Sequence, residues 1–396
     1  MNKKPVSVFV NLPFCDGCDF CTDDEFGLIE GRVDKYVAAL INEIKSKREM
    51  AQGRNVGSIF FGGAGASLIP DVLLVDIMLA LDETFEIEDD CEITLELSPK
   101  SPHIEDLEFL DKIGITRLNI LAHSVDDIVL GVMGKTYRAS DIQSTLDAIK
   151  TYGHFDVNID FTTCVPVPKE IADMDLRRSP EVELASILVN FDFVDHISLY
   201  DLVVEDGTDL ARALDYNQVY FQKFDDQVND HVLLHGVLEK FGLYQYDSHH
   251  WARPGSESVY NRSHIEIESE CFGFGLGANG IIDDVRYDNF DELDLYILAP
   301  NKVEHQEKRT TLDKVNEAII NQLGTPNGVD LAGLKELGID LMASRKKEIT
   351  HLRSMKLVKA TKNTLTVTKH GAMLINVALS ELLFGEEEEV IDGKKL

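Results

Sequence analysis

Apolar positions along the chain fall into two alternating patterns. Short apolar runs, typical of buried strands, are followed by stretches whose apolar residues recur at helical spacing. In the stretch 36–48, for example, Tyr36, Leu40 and Ile44 share one side of a helix. The first half of the chain therefore alternates predicted strands over 6–11, 58–61, 92–97, 117–121, 157–163 and 196–202 with predicted helices over 36–48, 72–85, 104–113 and 142–152.

Repeated strand–helix units of this size predict an α/β fold whose parallel sheet is rolled into a full or partial (β/α) barrel. Chemistry in such folds lies at the carboxyl ends of the strands. The candidates at those ends are the cysteines after residue 14, the glycine turn after residue 61, Glu96, His123 and Asp160.

The pattern changes in the last part of the chain. A long helix is predicted over 217–241, a last strand over 244–251 and a glycine-rich apolar segment over 271–282. Further on, three short helices and a two-stranded wing precede a final helix, which predicts a small winged-helix-like α+β domain. We predict a barrel with the site over 1–295, this second domain over 296–385, and a flexible acidic tail over 386–396.

Charge narrows the classes of partner. The formal net charge is −32, and such a surface repels phosphate backbones and anionic lipid. We expect no nucleic-acid partner. No apolar run reaches the length of a membrane span, and the short run 6–10 lacks the features of a signal peptide. A cytoplasmic location is the expectation.

A cysteine cluster carries the strongest chemical signal. Cys15, Cys18 and Cys21 fall within seven residues, and soft thiolates select iron–sulfur clusters or zinc. A ferredoxin would supply a fourth cysteine nearby, but the next is Cys91. Three ligands leave one iron open, as an iron that binds a small molecule requires. Zinc held by three cysteines and a histidine is the alternative, although the first histidine is His103.

Other candidates are weaker when taken singly. The turn Gly62-Gly63-Ala64-Gly65 can expose backbone amides to an anionic group, or it can be an ordinary tight turn. Glu96 can accept from an ammonium or a ribose hydroxyl, or it can be an edge residue. Asp160 is a charge inside an apolar strand, and charges are rarely buried without a partner. Arg138 can be a surface residue.

Together these residues resemble the oxygen-independent coproporphyrinogen III oxidase family of radical S-adenosylmethionine (SAM) enzymes, including its haem-chaperone relatives. The segment 8–15 looks like the family's opening strand, and 58–63 looks like the strand and turn that cradle the methionine part of SAM. The matching motifs follow one another in family order over most of the chain. The later matches are 92–96, 117–120, 158–161, 196–200, 205–208, 273–278 and 369–371.

The resemblance implies a radical SAM barrel and a set of SAM contacts. Cys15, Cys18 and Cys21 would hold a [4Fe–4S] cluster whose open iron binds SAM. The implied SAM-binding residues are Gly62, Gly63, Ala64, Gly65, Glu96, His123, Arg138 and Asp160. No catalytic residue is assigned beyond the cluster.

The chain departs from the family pattern at several contacts. The first two cysteines are separated by two residues, Asp16 and Gly17, where the family has three. Asn11 replaces a histidine expected beside the cluster, and His123 replaces a SAM-contacting glutamine. These changes favour a divergent paralogue over the oxidase itself.

The implied activity is reductive cleavage of SAM and oxidation of a tetrapyrrole. The implied electron donor is a reductant such as flavodoxin or ferredoxin. Any mouth for a propionate-rich substrate should carry basic residues, and Lys135 and Arg138 are candidates. Two alternatives stay open: a haem-binding or haem-delivery protein on the same scaffold, for which His249 and His250 are candidate ligands or loop residues, and a zinc-stabilised binding module.

Overall fold

The computed structural model describes residues 4–14, 31–63, 65–174 and 179–385. The strands are β1 (Val6–Asn11), β2 (Asn55–Gly62), β3 (Glu86–Leu97), β4 (Arg117–His123), β5 (Asp156–Thr163), β6 (Val167–Pro168), β7 (His196–Asp201), β8 (Val219–Tyr220), β9 (Tyr244–Gln245), β10 (His250–Ala252), β11 (Cys271–Phe274), β12 (Asn279–Ile282), β13 (Val285–Asn289), β14 (Val303–Lys308), β15 (Val329–Asp330), β16 (Val358–Ala360) and β17 (Thr364–Val367).

Helices connect most of these strands. They are α1 (Arg32–Ser46), α2 (Arg48–Ala51), α3 (Asp71–Thr84), α4 (Leu107–Lys112), α5 (Asp127–Val132), α6 (Ala139–Tyr152), α7 (Lys169–Met174), α8 (Pro180–Asn190), α9 (Asp209–Asp215), α10 (Phe224–Lys240), α11 (Val259–Ile265), α12 (Leu293–Leu298), α13 (Thr311–Leu323), α14 (Leu331–Glu336), α15 (Leu341–Ser344), α16 (Lys346–Ser354), α17 (Lys369–Ala372) and α18 (Ile375–Leu382). Over the described ranges, no helix is both long and apolar enough to cross a membrane.

Twelve strands form the main sheet, in the order β14-β13-β12-β11-β1-β2-β3-β4-β5-β7-β10-β9. The run from β11 to β7 is parallel, and the strands at both ends are antiparallel. Since β14 and β9 are separate ends of this order, the described strands form an open sheet, as a partial barrel requires and a closed barrel does not. The predicted α/β class with a parallel-rich sheet is confirmed.

The two faces of this sheet differ in chemistry because successive side chains on a strand point to opposite sides. On one face, apolar side chains such as Val8, Ile59 and Leu95 share a single core with the flanking helices. The opposite face carries buried polar side chains instead. We call this the polar face, and its members include Ser58, Glu92, Thr94, Arg117, Asn119, Asn158, Asp160, Thr162, His196 and Ser198.

Helix α11 covers the amino end of the polar face. The buried Glu92 carboxylate accepts hydrogen bonds from Ser258 Oγ at 2.8 Å and from the Tyr260 amide at 3.1 Å, which fixes the start of the helix. Arg117 Nε lies 2.9 Å from the same carboxylate and balances its charge. The Tyr260 ring packs 4.9 Å from that of Phe60. The carboxyl end of the polar face is the end that lies opposite this helix.

A second, separate core lies between Val315 and Phe384. Its short sheet has the order β15-β17-β16, and α13, α14, α16 and α18 supply most of the remaining core. Asn321 and Gln322 donate to the carbonyls of His264 and Ile265 at 2.9 and 3.0 Å, which joins α13 to α11. The main sheet itself continues to Lys308 through β14. The predicted tail, 386–396, lies outside the described residues.

Three element predictions differ from the structure. The helix predicted over 217–241 begins only at Phe224, because residues 219–220 pair as β8 with β6. The strand predicted over 244–251 is split into β9 and β10 by a turn in which the Asp247 carboxylate accepts from the His249 and His250 amides, each at 2.8 Å. The glycine-rich segment 271–282 is a pair of antiparallel strands.

Candidate functional site

The segment that leads to the cysteines is anchored at the carboxyl end of β1. The Leu12 amide donates to the Gly62 carbonyl at 2.8 Å, and the buried Phe14 ring packs edge-on against Tyr36 at 5.1 Å. The next residues, including Cys15, Cys18 and Cys21, lie outside the described part. Their role as cluster ligands therefore stays a prediction.

The glycine turn after β2 packs directly on this segment. Gly63 has φ +98°, and a Cβ there would lie 2.1 Å from Asn11 Oδ1. A Cβ on Gly65 would lie 1.3 Å from the Phe14 carbonyl oxygen. Both positions therefore need glycine, because only a bare backbone fits against the residues just before the cysteines. Ala64 lies outside the described residues.

Asp160 belongs to a network of hydrogen bonds on the polar face. Its carboxylate accepts from Asn119 Nδ2 at 3.0 Å and from Asn158 Nδ2 at 2.8 Å. The Ser198 hydroxyl joins the set, 2.9 Å from Asn158 Nδ2. Burial raises the pKa of Asp160, and these hydrogen bonds oppose the rise. The structure thus supplies the partners that a buried charge requires.

The set continues through His196 toward β9 and α11. His196 Nδ1 lies 2.5 Å from Asn158 Oδ1, and Nε2 lies 2.7 Å from the Tyr246 hydroxyl. Asn261 Nδ2 donates to Tyr246 Oη at 3.2 Å. Burial lowers the pKa of His196 well below its ordinary value, so the imidazole is neutral at pH 7. A neutral ring donates from one nitrogen and accepts at the other, as this chain of partners requires.

Glu96 lies half-buried on β3, opposite Asn119 of β4. Burial is the main cause of the raised pKa of both Tyr200 and Tyr260, and the Glu96 carboxylate adds to the rise in both. Glu96 therefore lies near enough to both tyrosines to act on them electrostatically. Such a carboxylate is suited to a cationic or hydroxylated ligand.

His123 ends β4 with a left-handed backbone, at φ +61°. Its Nδ1 lies 3.0 Å from Thr162 Oγ1 on the neighbouring strand. Burial lowers the pKa of His123 well below its ordinary value, and the Lys135 ammonium contributes in the same direction. Lys135 therefore brings positive charge near the carboxyl end of β4.

Arg138 has a different setting from the other predicted residues. Its side chain is 75% exposed and pairs with Asp127 across 3.8 Å. Its backbone amide donates to Asp141 Oδ2 at 2.8 Å, at the start of α6. These contacts are typical of a surface residue at a helix start.

His249 and His250 contact other residues on this side of the sheet. His250 Nδ1 lies 2.7 Å from Asp247 Oδ2, and Nε2 lies 2.9 Å from the Tyr200 hydroxyl. Both ring nitrogens of His250 are therefore engaged. The His249 ring stacks on Tyr200 at 5.4 Å.

Sequence reasoning did not assign several members of the polar face, namely Asn119, Asn158, His196 and Ser198, or Tyr246, which bonds to His196. A signal for most of them was available, because polar residues occupy every second position of β5 and β7 and positions 117, 119 and 123 of β4. That alternation within an apolar strand indicates a wet or ligand-facing side.

The residues present fit an iron–sulfur cluster with bound SAM. Three cysteines follow, in the sequence, a segment that packs against Gly63 and Gly65 with no room for side chains, so the backbone of the turn lies beside the residues that precede the cysteines. Glu96 adds an acceptor at the same carboxyl end of the sheet. Asp160 adds carboxylate oxygens deeper on the polar face.

Comparisons with known proteins agree with this setting. The profile of the radical SAM superfamily matches residues 13–175. The chain is 27% identical over 290 residues to "Heme chaperone HemW" of Synechocystis sp., an alignment that spans 72% of this chain and 68% of that protein. It is 21% identical over 384 residues to the protein of the same name from Bacillus subtilis, spanning 95% and 99% of the two chains.

A solved structure shares the fold. Coproporphyrinogen III oxidase (HemN) from Escherichia coli, described as a radical SAM enzyme, superimposes with a TM-score of 0.80 and 20% identity, covering 96% of this chain and 91% of that one. The superfamily implies a [4Fe–4S] cluster and SAM as cofactors. Residues 13–175 therefore match the radical SAM superfamily, and the chain as a whole resembles the HemW and HemN proteins while diverging from them in sequence.

Proposed function

We propose that this chain holds a [4Fe–4S] cluster through Cys15, Cys18 and Cys21 and cleaves SAM reductively to act on a tetrapyrrole. The observation that carries the proposal is the close packing of the glycine turn on the segment before the cysteines, with a notional Gly65 Cβ only 1.3 Å from the Phe14 oxygen. The segment that leads to the cysteines and the glycine turn thus lie together at the carboxyl ends of β1 and β2, which supports the proposal.

Each polar residue of the site has a proposed task. The amides of the turn at Gly62, Gly63, Ala64 and Gly65 bind the SAM carboxylate, and Glu96 accepts from its ammonium or ribose hydroxyl groups. Asp160 holds the polar face in one arrangement and approaches the ribose, while His123 borders the site as a neutral ring. When bound, cluster and SAM supply reductive carbon–sulfur cleavage and hydrogen abstraction.

Lys135 is the proposed basic residue at the substrate mouth. A tetrapyrrole carries carboxylates that this acidic protein would repel elsewhere, so a local cation is needed. Lys135 already acts electrostatically on His123. Arg138 remains a second proposed cation, and it is exposed enough to reach solvent ligands. We propose a reduced flavodoxin or ferredoxin as electron donor and a cytoplasmic site of action.

A second candidate function is haem binding or delivery on the same scaffold. The B. subtilis relative named as a haem chaperone aligns over 95% of this chain, which favours this candidate. In that case the cluster and SAM would support haem handling without turnover of a porphyrin. His249 is the better placed of the two candidate histidines, because both nitrogens of His250 are engaged within the protein.

Anaerobic reconstitution with iron and sulfide separates the two candidates. The enzyme predicts an EPR signal that SAM perturbs, and 5′-deoxyadenosine after reduction. A stable stoichiometric haem complex without 5′-deoxyadenosine would support the carrier. Cys18→Ala is expected to lose iron and SAM cleavage, whereas Cys91→Ala, a buried free cysteine on β3, should keep both. Stoichiometric zinc without a cluster would overturn both candidates.

The assignment of Glu96 has its own matched pair of variants. Glu96→Gln is expected to weaken SAM binding roughly tenfold or more, because a hydrogen bond to a charged group contributes about 1.5–3 kcal/mol. Glu108→Gln, which affects an exposed i,i+4 pair with Lys112, should leave it unchanged. Binding is read from the SAM-dependent change in the cluster EPR signal. Equal SAM affinity in the two variants would remove Glu96 from the site.

A further inference from the structure

A group of metal-ligating side chains lies apart from the predicted cluster. Cys164 follows the last residue of β5, Asp201 is the last residue of β7, and His231 lies on α10. Cys164 Sγ lies 3.3 Å from Asp201 Oδ1 and 3.8 Å from His231 Nε2, and the nitrogen lies 2.8 Å from that oxygen. Three ligand atoms of different chemistry therefore meet at one point.

The fold builds this group at a defined place. Thr163 and Asp201 are paired in register across β5 and β7, so Cys164 and the Asp201 carboxylate leave neighbouring strands side by side. The Thr163 hydroxyl donates to Asp201 Oδ1, the same oxygen that faces the sulfur and the imidazole. The His231 side chain is only 13% exposed. The ligand atoms are thus oriented by the sheet and by an outer hydrogen bond, as in metal sites generally.

The backbone of Cys164 gives an independent sign of function. Its φ is +56°, in the left-handed region where a side chain costs conformational energy and glycine does not. Such strain in a non-glycine residue persists where the surroundings over-determine it, and it concentrates at functional sites. The strained conformation is the one that directs the thiol at Asp201 and His231.

The distances match one face of a tetrahedral metal site. Zinc bonds to sulfur, nitrogen and oxygen at the usual lengths would place neighbouring ligand atoms about 3.4–3.6 Å apart. The observed separations of 2.8, 3.3 and 3.8 Å differ from these by roughly 0.6 Å or less. Asp230 lies close enough to act electrostatically on the Cys164 sulfur, and it adds negative charge for a cation.

We propose that Cys164, Asp201 and His231 form a site for a borderline-soft divalent cation, with zinc as the best match. A thiolate, an imidazole and a carboxylate suit Zn²⁺, whereas oxygen-only sites suit Mg²⁺ or Ca²⁺. Binding forms a metal–sulfur bond while the thiol proton leaves to solvent. Three protein ligands leave a fourth position for water or for a group of the substrate, which is the pattern of zinc sites that act on ligands.

The test uses the full chain with its iron–sulfur cluster installed, so that the predicted cluster cysteines are occupied. Zinc is added to about one equivalent and measured per chain, with iron counted in parallel. X-ray absorption at the zinc edge should show one sulfur at about 2.3 Å and lighter ligands at about 2.0–2.2 Å. A first shell of three sulfurs would place zinc at Cys15, Cys18 and Cys21 and overturn the proposal.

Variants distinguish this site from adventitious binding. Glycine tolerates the φ of +56° at position 164, so Cys164→Gly should fold with an unchanged circular dichroism spectrum. Its X-ray absorption should no longer show a sulfur ligand to zinc. Because even outer-shell losses weaken metal sites about 10–100-fold, this variant and His231→Ala should weaken zinc binding at least about 100-fold. Thr163→Val should weaken it about tenfold. Cys91→Ala should bind zinc as the wild type does.

Two further results would overturn the site: no zinc bound at one equivalent, or equal zinc affinity in Cys164→Gly and the wild type. Cluster EPR and SAM cleavage are recorded on the same samples. Loss of zinc with an intact cluster signal would therefore leave the proposed function untouched. Loss of the cluster signal with retained zinc would count against the proposed function and leave the zinc site untouched.

Discussion

At the scale of single residues, Glu43 shows how a buried carboxylate can join distant parts of the chain. It lies on α1 and is 1% exposed. Its oxygens accept from the Gly275 amide at 2.9 Å, Asn289 Nδ2 at 2.8 Å and the Tyr296 hydroxyl at 2.7 Å. Burial raises the pKa of Glu43 from 4.5 to about 7, although these hydrogen bonds oppose the rise.

This raised pKa predicts a specific pH dependence of stability. Between pH 4.5 and about 7 the folded protein keeps a proton on Glu43 that the unfolded chain releases, so this residue's contribution to the unfolding free energy falls as pH rises. Glu43→Gln removes the titration. The difference in unfolding free energy, wild type minus Glu43→Gln, should fall by roughly 3 kcal/mol over that window in urea titrations of the cluster-free chain. A flat or rising difference would contradict the assignment.

The sequence indicated that Asp160 needs hydrogen-bonding partners, but it did not indicate which residues they are. Asp160 stood out as a charge in an apolar strand, and the structure indeed surrounds it with donors. Which donors they are depends on the register between β4, β5 and β7, which places Asn119 beside Asn158. Register arises from packing between strands, and no local pattern in one strand contains it.

At the scale of elements, the turn between β2 and α3 is held by backbone contact. Gly65→Ala would force its Cβ into the Phe14 carbonyl, so the chain before the cysteines must move. We expect the unfolding free energy of Gly65→Ala to fall by about 1–3 kcal/mol and its iron content after reconstitution to be lower than that of the wild type. Gly131→Ala on α5 meets no atom within 4 Å and should be neutral or stabilising. Equal iron content in the two variants would contradict the proposed approach of turn and cluster.

The docking of α11 offers a second prediction at this scale. Arg117→Met leaves the Glu92 carboxylate buried without its cation and should cost about 3–5 kcal/mol in denaturant titrations. Adding Glu92→Gln should recover much of that loss, because the unpaired charge disappears. The exposed pair of Lys112 and Glu108 serves as control, and Lys112→Met should cost about 1 kcal/mol or less. If Arg117→Met and Lys112→Met lower the unfolding free energy by equally small amounts, Glu92 is not a buried charge that depends on Arg117.

Elements with a clear local pattern of apolar residues were predictable from the sequence. Elements that form by pairing with strands far away in the sequence were not. Strand β1 was predicted with its observed bounds because its apolar run is continuous. The start of α10 was misplaced because residues 219–220 are drawn into pairing with β6, and no signal for that contact lies near them in the sequence. The short strands β12 to β14 depend in the same way on β11 and on one another.

At the scale of the whole molecule, the net charge of −32 acts on stability through self-repulsion. Raising NaCl from about 0.05 to about 0.5 M shortens the Debye length from roughly 14 to roughly 4 Å. We expect the melting temperature to rise by roughly 1–2 °C and then to level off, equivalent to about 1 kcal/mol for a chain of this length. A melting temperature that falls with salt would show that ion pairs outweigh repulsion. A rise that continues linearly to molar salt would indicate exclusion of salt from the surface instead.

The pairing of β1 with β11 has a consequence for biosynthesis. One edge of β1 is covered early by β2, but the other pairs with residues 271–274, where Ser7 lies opposite Cys271. At about 5–20 residues per second, ribosomes need tens of seconds to deliver that partner. Until then β1, which leads to the cysteines, has one unpaired edge that can associate with other chains. On the proposed function, iron and sulfide would therefore be inserted only after β11 has been made, so truncated products that end before β11 should emerge without metal.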